Sequence, residues 1–125
     1  MSGLFEILEK IRDRPGMYIG KPSVSDLFMF LVGYKTARRE LGIEPAEKEL
    51  EFYGEFQPWL QKRFDMMTVN SWAKMIEFRC VNETEAFDYF FELLDEFWQW
   101  HEQRATDQGG QKTETLKTAA IAHPK

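Results

Sequence analysis

The sequence is short of the residues that build covalent or metal-centred chemistry. Its 125 residues include one cysteine, Cys80, and two histidines, His101 and His123. One cysteine excludes an intramolecular disulfide and any zinc site made from several thiolates. The two histidines form a ligand pair only if the chain end folds back, so no metal and no cofactor are expected. No run of about 18 apolar residues occurs, and no membrane-spanning helix is expected. The opening Met1-Ser2-Gly3-Leu4-Phe5-Glu6 has neither the basic start nor the apolar core of a signal peptide. With the lone cysteine, this leads to the expectation of a cytoplasmic protein. Positive charge is also scarce: 16 Lys and Arg stand against 21 Asp and Glu, a net charge of -5. General binding to nucleic acid needs a basic surface, so no nucleic-acid partner is expected. An acidic chain more naturally meets a basic protein.

Large rings are plentiful. Aromatics make up 15% of the chain, with eleven Phe and four Trp, enough to fill the single core that a chain of this length can build. Leu4, Ile7, Leu8 and Ile11 recur at helical spacing, predicting an amphipathic helix over 3–13 that Pro15-Gly16 ends. Ser23 is a natural N-cap for a second helix, with Asp26 in its first turn; that helix runs to Leu41 and stops at Gly42. Residues 43–57, with Pro45, Gly54 and clustered charge, read as a loop holding at most one helical turn. Pro58 suits the first turn of a short helix reaching Phe64. Asn70-Ser71 opens a further helix with Trp72, Met75, Ile76 and Cys80 along one side, although 75–81 also alternates tolerably as a strand. Cys80 reads as a buried structural thiol.

The clearest element is the last. Asn82 with Glu85 three residues on forms a capping-box pattern, and the helix is expected to reach Arg104. Ala86, Phe87, Phe90, Phe91, Leu94, Phe97 and Trp98 share one side. The remainder, 105–125, lacks aromatics and periodicity and reads as a flexible tail. The expected fold is therefore mainly α: a compact single-domain helical bundle of about four to five helices over 1–104, followed by that tail.

The opposite side of the last helix is acidic. Glu85, Asp88, Glu92, Asp95, Glu96 and Glu102, with Gln99, carry it, and no Lys or Arg interrupts 83–102. Like charges four apart, such as Asp88 with Glu92, repel by about a few tenths of a kcal/mol. That pattern is either an idle acidic surface or one that docks on a basic cleft. Trp100, at its end, is the candidate anchor. Lys35, Arg38, Arg39, Lys62 and Arg63 form small basic patches that the helix dipole already favours.

Arg14-Pro15-Gly16-Met17-Tyr18-Ile19-Gly20 resembles the segment ahead of the ATP-binding helix in the GHKL ATPase domains of type II topoisomerases. The resemblance implies a following helix with an acidic base and a magnesium-holding Asn, then an Asp-x-Gly-x-Gly turn. Residues 25–42 hold no Asn, and the later turn is absent, so ATP hydrolysis is not expected. The turn is then a connector, with Pro15 fixing φ and Gly16 and Gly20 permitting bends around an extended Met17 to Ile19. Alternatively, Arg14 and Tyr18 line a nucleotide or small-ligand surface.

Residues 8–34, LEKIRDRPGMYIGKPSVSDLFMFLVGY, followed by SWAKMIEF at 71–78 and EAFDYFFELLDEF at 85–97, resemble, over most of residues 4–98, small bacterial cytoplasmic proteins of polymorphic toxin loci, where such proteins often serve as immunity proteins. That resemblance carries no catalytic motif. It implies a non-enzymatic protein that covers the active site of a cognate toxin; an adaptor or chaperone for a secreted effector is the neighbouring possibility.

Overall fold

The structure is a computed structural model that describes the backbone of residues 3–68 and 70–122 and the side chains of 3–68 and 70–107. It contains α1 (Leu4–Asp13), α2 (Pro15–Tyr18), α3 (Val24–Glu40), α4 (Glu47–Arg63), α5 (Trp72–Glu77) and α6 (Glu83–Ala122). Among the described residues there are six helices and no strand, so the fold is mainly α, as expected. The competing strand over 75–81 is replaced by α5 and a turn, and Cys80 falls in that turn. The chain separates into two compact units, Met1–Glu92 and Leu93–Lys125, divided inside α6.

The first unit is organised by α1, α3, α4, α5 and the opening turns of α6. Leu4, Leu8 and Ile11 of α1 are buried, as are Leu27 and Leu31 of α3, Phe52, Phe56 and Leu60 of α4, Met75 and Ile76 of α5, and Phe87, Phe90 and Phe91 of α6. An aromatic cluster joins three of these helices. Phe90 stacks on Trp72 with centroids 4.8 Å apart, and Phe56 meets both edge-on at 5.8 and 5.7 Å. In the second unit Leu93, Leu94 and Phe97 are buried, and the Phe97 ring lies 4.9 Å from Trp98 and 5.8 Å from His101.

Helix ends follow their local chemistry. The Ser23 hydroxyl accepts from the Asp26 N–H at 3.3 Å, as expected of an N-cap. Past α3, the N–H groups of Gly42 and Ile43 donate to the carbonyls of Arg39 and Arg38 at 3.0 and 2.9 Å, with Gly42 at φ 71°. This is a Schellman closure, and its left-handed residue is the glycine expected there. The same closure ends α4, where Asp65 and Met66 donate to Lys62 and Gln61 and Asp65 takes φ 50°.

The expected loop at 43–57 is wrong: most of it is α4. Glu49, Phe52, Phe56, Trp59 and Leu60 are its buried residues and keep helical spacing, which outweighs the breakers Gly54 and Pro58. Pro58 is thus interior to a 17-residue helix, and does not open a short one. Its missing N–H would have met the carbonyl of Gly54, which is exposed, so water can satisfy that carbonyl.

Residues 15–18 are also corrected, from an extended clip to one helical turn, closed by Ile19 N–H donating to the Pro15 carbonyl at 2.8 Å. Gly20 takes a positive φ of 86°, and Gly16 does not take one. Finally, α6 passes its expected stop at Arg104. The side chains of 108–125, which hold most of the expected tail and His123, lie outside the described residues.

Candidate functional site

The turn between α5 and α6 brings apolar and acidic side chains together at the surface. Ser71 caps α5 by accepting from the Lys74 N–H at 3.3 Å, and the helix ends after six residues. The backbone then turns through 78–82, with Arg79 and Cys80 N–H groups donating to Ile76 and Glu77 carbonyls. Asn82 Oδ1 accepts from the Glu85 N–H at 2.9 Å, which starts α6 as the capping pattern expects. The return bond is displaced by one residue: the Glu85 carboxylate accepts from Val81 N–H at 2.7 Å, and not from Asn82.

This tight turn leaves two large apolar side chains in solvent, Phe78 at 68% and Val81 at 91% exposure. They flank Cys80, which is half-buried and not buried as expected. Burial pushes the Cys80 thiol above its ordinary pKa, and the carboxylates of Glu85 and Glu92 push it the same way. Both carboxylates therefore bear on the turn. Arg79 is exposed but engaged at the end of α4: its guanidinium donates to the Phe64 carbonyl at 2.9 Å and lies 4.3 Å from the Phe64 ring centroid.

Glu85, Asp88 and Glu92 are exposed and, at spacings of three and four, lie along one stripe of α6. Asp88 and Glu92 form no ion pair among the described residues. The start of the acidic run is balanced, since Glu83 meets Lys21 at 3.2 Å. In the second unit Asp95, Gln99, Trp100 and Glu102 are exposed and Glu96 is half-buried. Trp100 is partly shielded by its own helix, the Arg104 guanidinium lying 4.7 Å from its ring centroid.

The turn after α1 does not gather a site. Arg14 is exposed and pairs with its neighbour Asp13 at 3.7 Å, and Tyr18 is half-buried.

Sequence reasoning missed a buried polar centre between α3 and α4. Glu49 is 2% exposed, and its carboxylate accepts from the Arg38 guanidinium and, at 2.9 Å, from the Ala46 N–H. That hydrogen bond raises the Arg38 pKa further above its ordinary value. Tyr53, one turn along α4, is pushed up to about 12, first by burial and then by Glu49. The available signal was Glu49 three residues after Ala46, half of a capping box whose N-cap residue has no oxygen to complete it.

No group of three or more His, Cys, Asp and Glu able to hold a metal occurs among the described residues, and no helix among them is long and apolar enough to cross a membrane. Compared with protein-family models, curated proteins and solved structures, the chain matches none.

Proposed function

We propose that the chain is a non-enzymatic protein-binding protein of the immunity or antitoxin kind, which docks on a basic cleft of a cognate toxin and covers its active site. One observation carries this reading: exposed Phe78 and Val81 flank Cys80, whose thiol the carboxylates of Glu85 and Glu92 both influence, and Glu85 bonds the Val81 N–H, with Asp88 on the same stripe of α6. Apolar side chains surrounded by charge are the usual anatomy of a docking surface. The acidic rim would steer a basic partner and speed encounter, and the apolar pair would lower dissociation. The surface proposed lies wholly in the first unit.

The partner to test is the product of the adjacent gene. Association is expected to fall steeply with added salt, because exposed charges beyond about 10 Å are screened at 0.1 M. Asp88→Lys with Glu92→Lys should slow association, and Phe78→Ala should speed dissociation. Cells making that product should be protected by the wild-type chain and lose protection with the combined variant. Binding and protection that survive all three substitutions would remove this surface from the proposal.

A further inference from the structure

Helices α3 and α4, with Trp72 of α5, border two open pockets that share an edge. One, about 250 Å³, is lined by Lys35, Arg38, Arg39, Glu44, Glu49 and Tyr53, with Leu50 and the turn between the helices. The other, about 200 Å³, is lined by Phe28, Leu31, Val32, Phe52, Gln57 and Trp72, and Lys35 and Tyr53 belong to both. A cationic pocket and an aromatic pocket therefore adjoin at Lys35 and Tyr53.

The charges are not equivalent. Glu49 is already satisfied by Arg38 and Ala46, one oxygen to each. Lys35 and Arg39 are exposed and form no ion pair among the described residues. The Lys35 ammonium lies 4.4 Å from the Tyr53 ring centroid, held over it by the ring's negative face. Nor are these two cations needed to finish α3, because the carbonyls of Arg38 and Arg39 are taken by Ile43 and Gly42. Against them the wall has one uncommitted carboxylate, Glu44. At neutral pH the Tyr53 hydroxyl remains protonated and can donate. At the other end, Phe28 and Phe52 both meet Trp72 edge-on, at 5.2 and 6.3 Å between centroids, which leaves a pocket walled by rings. Few polar groups at one end of an apolar concavity are what fixes a small ligand.

We propose that these adjoining pockets bind a small amphipathic carboxylate, its aryl or acyl body against Phe28 and Trp72 in the aromatic pocket and its carboxylate reaching over the shared edge to Lys35 and Arg39. The site is independent of the docking surface at Phe78 and Val81.

Titration calorimetry of the full chain with 1-naphthoate tests it, with 1-naphthamide as the neutral counterpart and acetate as the head alone. One saturable site is expected for 1-naphthoate, with Kd on the order of 0.1 to 1 mM for a ligand of this size. Binding should weaken about tenfold in Lys35→Gln and again in Arg39→Gln, the loss of one charge-assisted hydrogen bond each. Val32→Trp, which fills the aromatic end from an exposed position, should abolish binding. Lys62→Gln, a cation outside the cavities, should leave it unchanged, and circular dichroism should report unaltered helicity throughout. No saturation by about 10 mM, equal affinity for the amide, or unchanged binding in both charge variants would overturn the proposal.

Discussion

Glu49 lies eleven residues beyond Arg38, and the buried contact between their side chains ties the end of α3 to the start of α4. Arg38→Met would leave the Glu49 carboxylate buried with only the Ala46 N–H as partner. Breaking one side of such a pair is expected to cost about 3 kcal/mol, measured by urea unfolding. Arg38→Met combined with Glu49→Leu should recover much of that loss, because no lone charge stays buried. A single variant as stable as the wild type would show that water reaches the carboxylate.

The stack of Phe90 on Trp72 gives a second test. Phe90 is fully buried, so Phe90→Ala should destabilise by about 3 to 5 kcal/mol. Phe78→Ala, at 68% exposure, should shift stability by no more than about 0.5 kcal/mol. Comparable losses in the two variants would mean that Phe78 packs in solution.

Tyr53 sets an alkaline limit. Its folded pKa of about 12 exceeds the ordinary value of 10.0, so the folded state keeps a proton that the unfolded chain releases. The contribution is complete below pH 10.0 and lost as pH rises towards about 12. Stability of the wild type should fall across that window, and Tyr53→Phe should flatten the slope. A slope identical in both proteins would remove Tyr53 from the alkaline transition.

Cys80 should alkylate slowly near neutral pH, since its raised pKa keeps the thiolate scarce. Glu92→Gln removes one of the causes and should speed iodoacetamide labelling without changing helicity. An unchanged rate would place Glu92 too far from the thiol to matter, and would weaken the case that it borders the Phe78 to Val81 turn.

Much of the bundle was legible because its signals are local. Ser23, Gly42 and the Asn82 to Glu85 pattern each act within a few residues of where they stand. The apolar side of α6 was readable in the same way, and its buried Phe87, Phe90 and Phe91 match the expected core. What failed depended on distance. Gly54 and Pro58 read as breakers, and only burial of Phe52, Phe56 and Leu60 against other helices overrides them. Arg38 with Glu49 is a tertiary pairing, and the half capping box at Ala46 and Glu49 marks only one of its partners. The acidic run was visible, but its apolar complement at Phe78 and Val81 emerged only once α5 ended early and turned both side chains outward.

The central claim is that the turn at Phe78 and Val81, with Glu85, Asp88 and Glu92, is a docking surface for a basic protein. Its most direct measurement is the association rate of the full chain with the product of the adjacent gene, at low and moderate salt, for the wild type and for Asp88→Lys with Glu92→Lys. The wild type should associate rapidly at low salt and slow steeply as salt is added, and the variant should associate slowly at both. Equal rates for the two proteins, independent of salt, would contradict the claim.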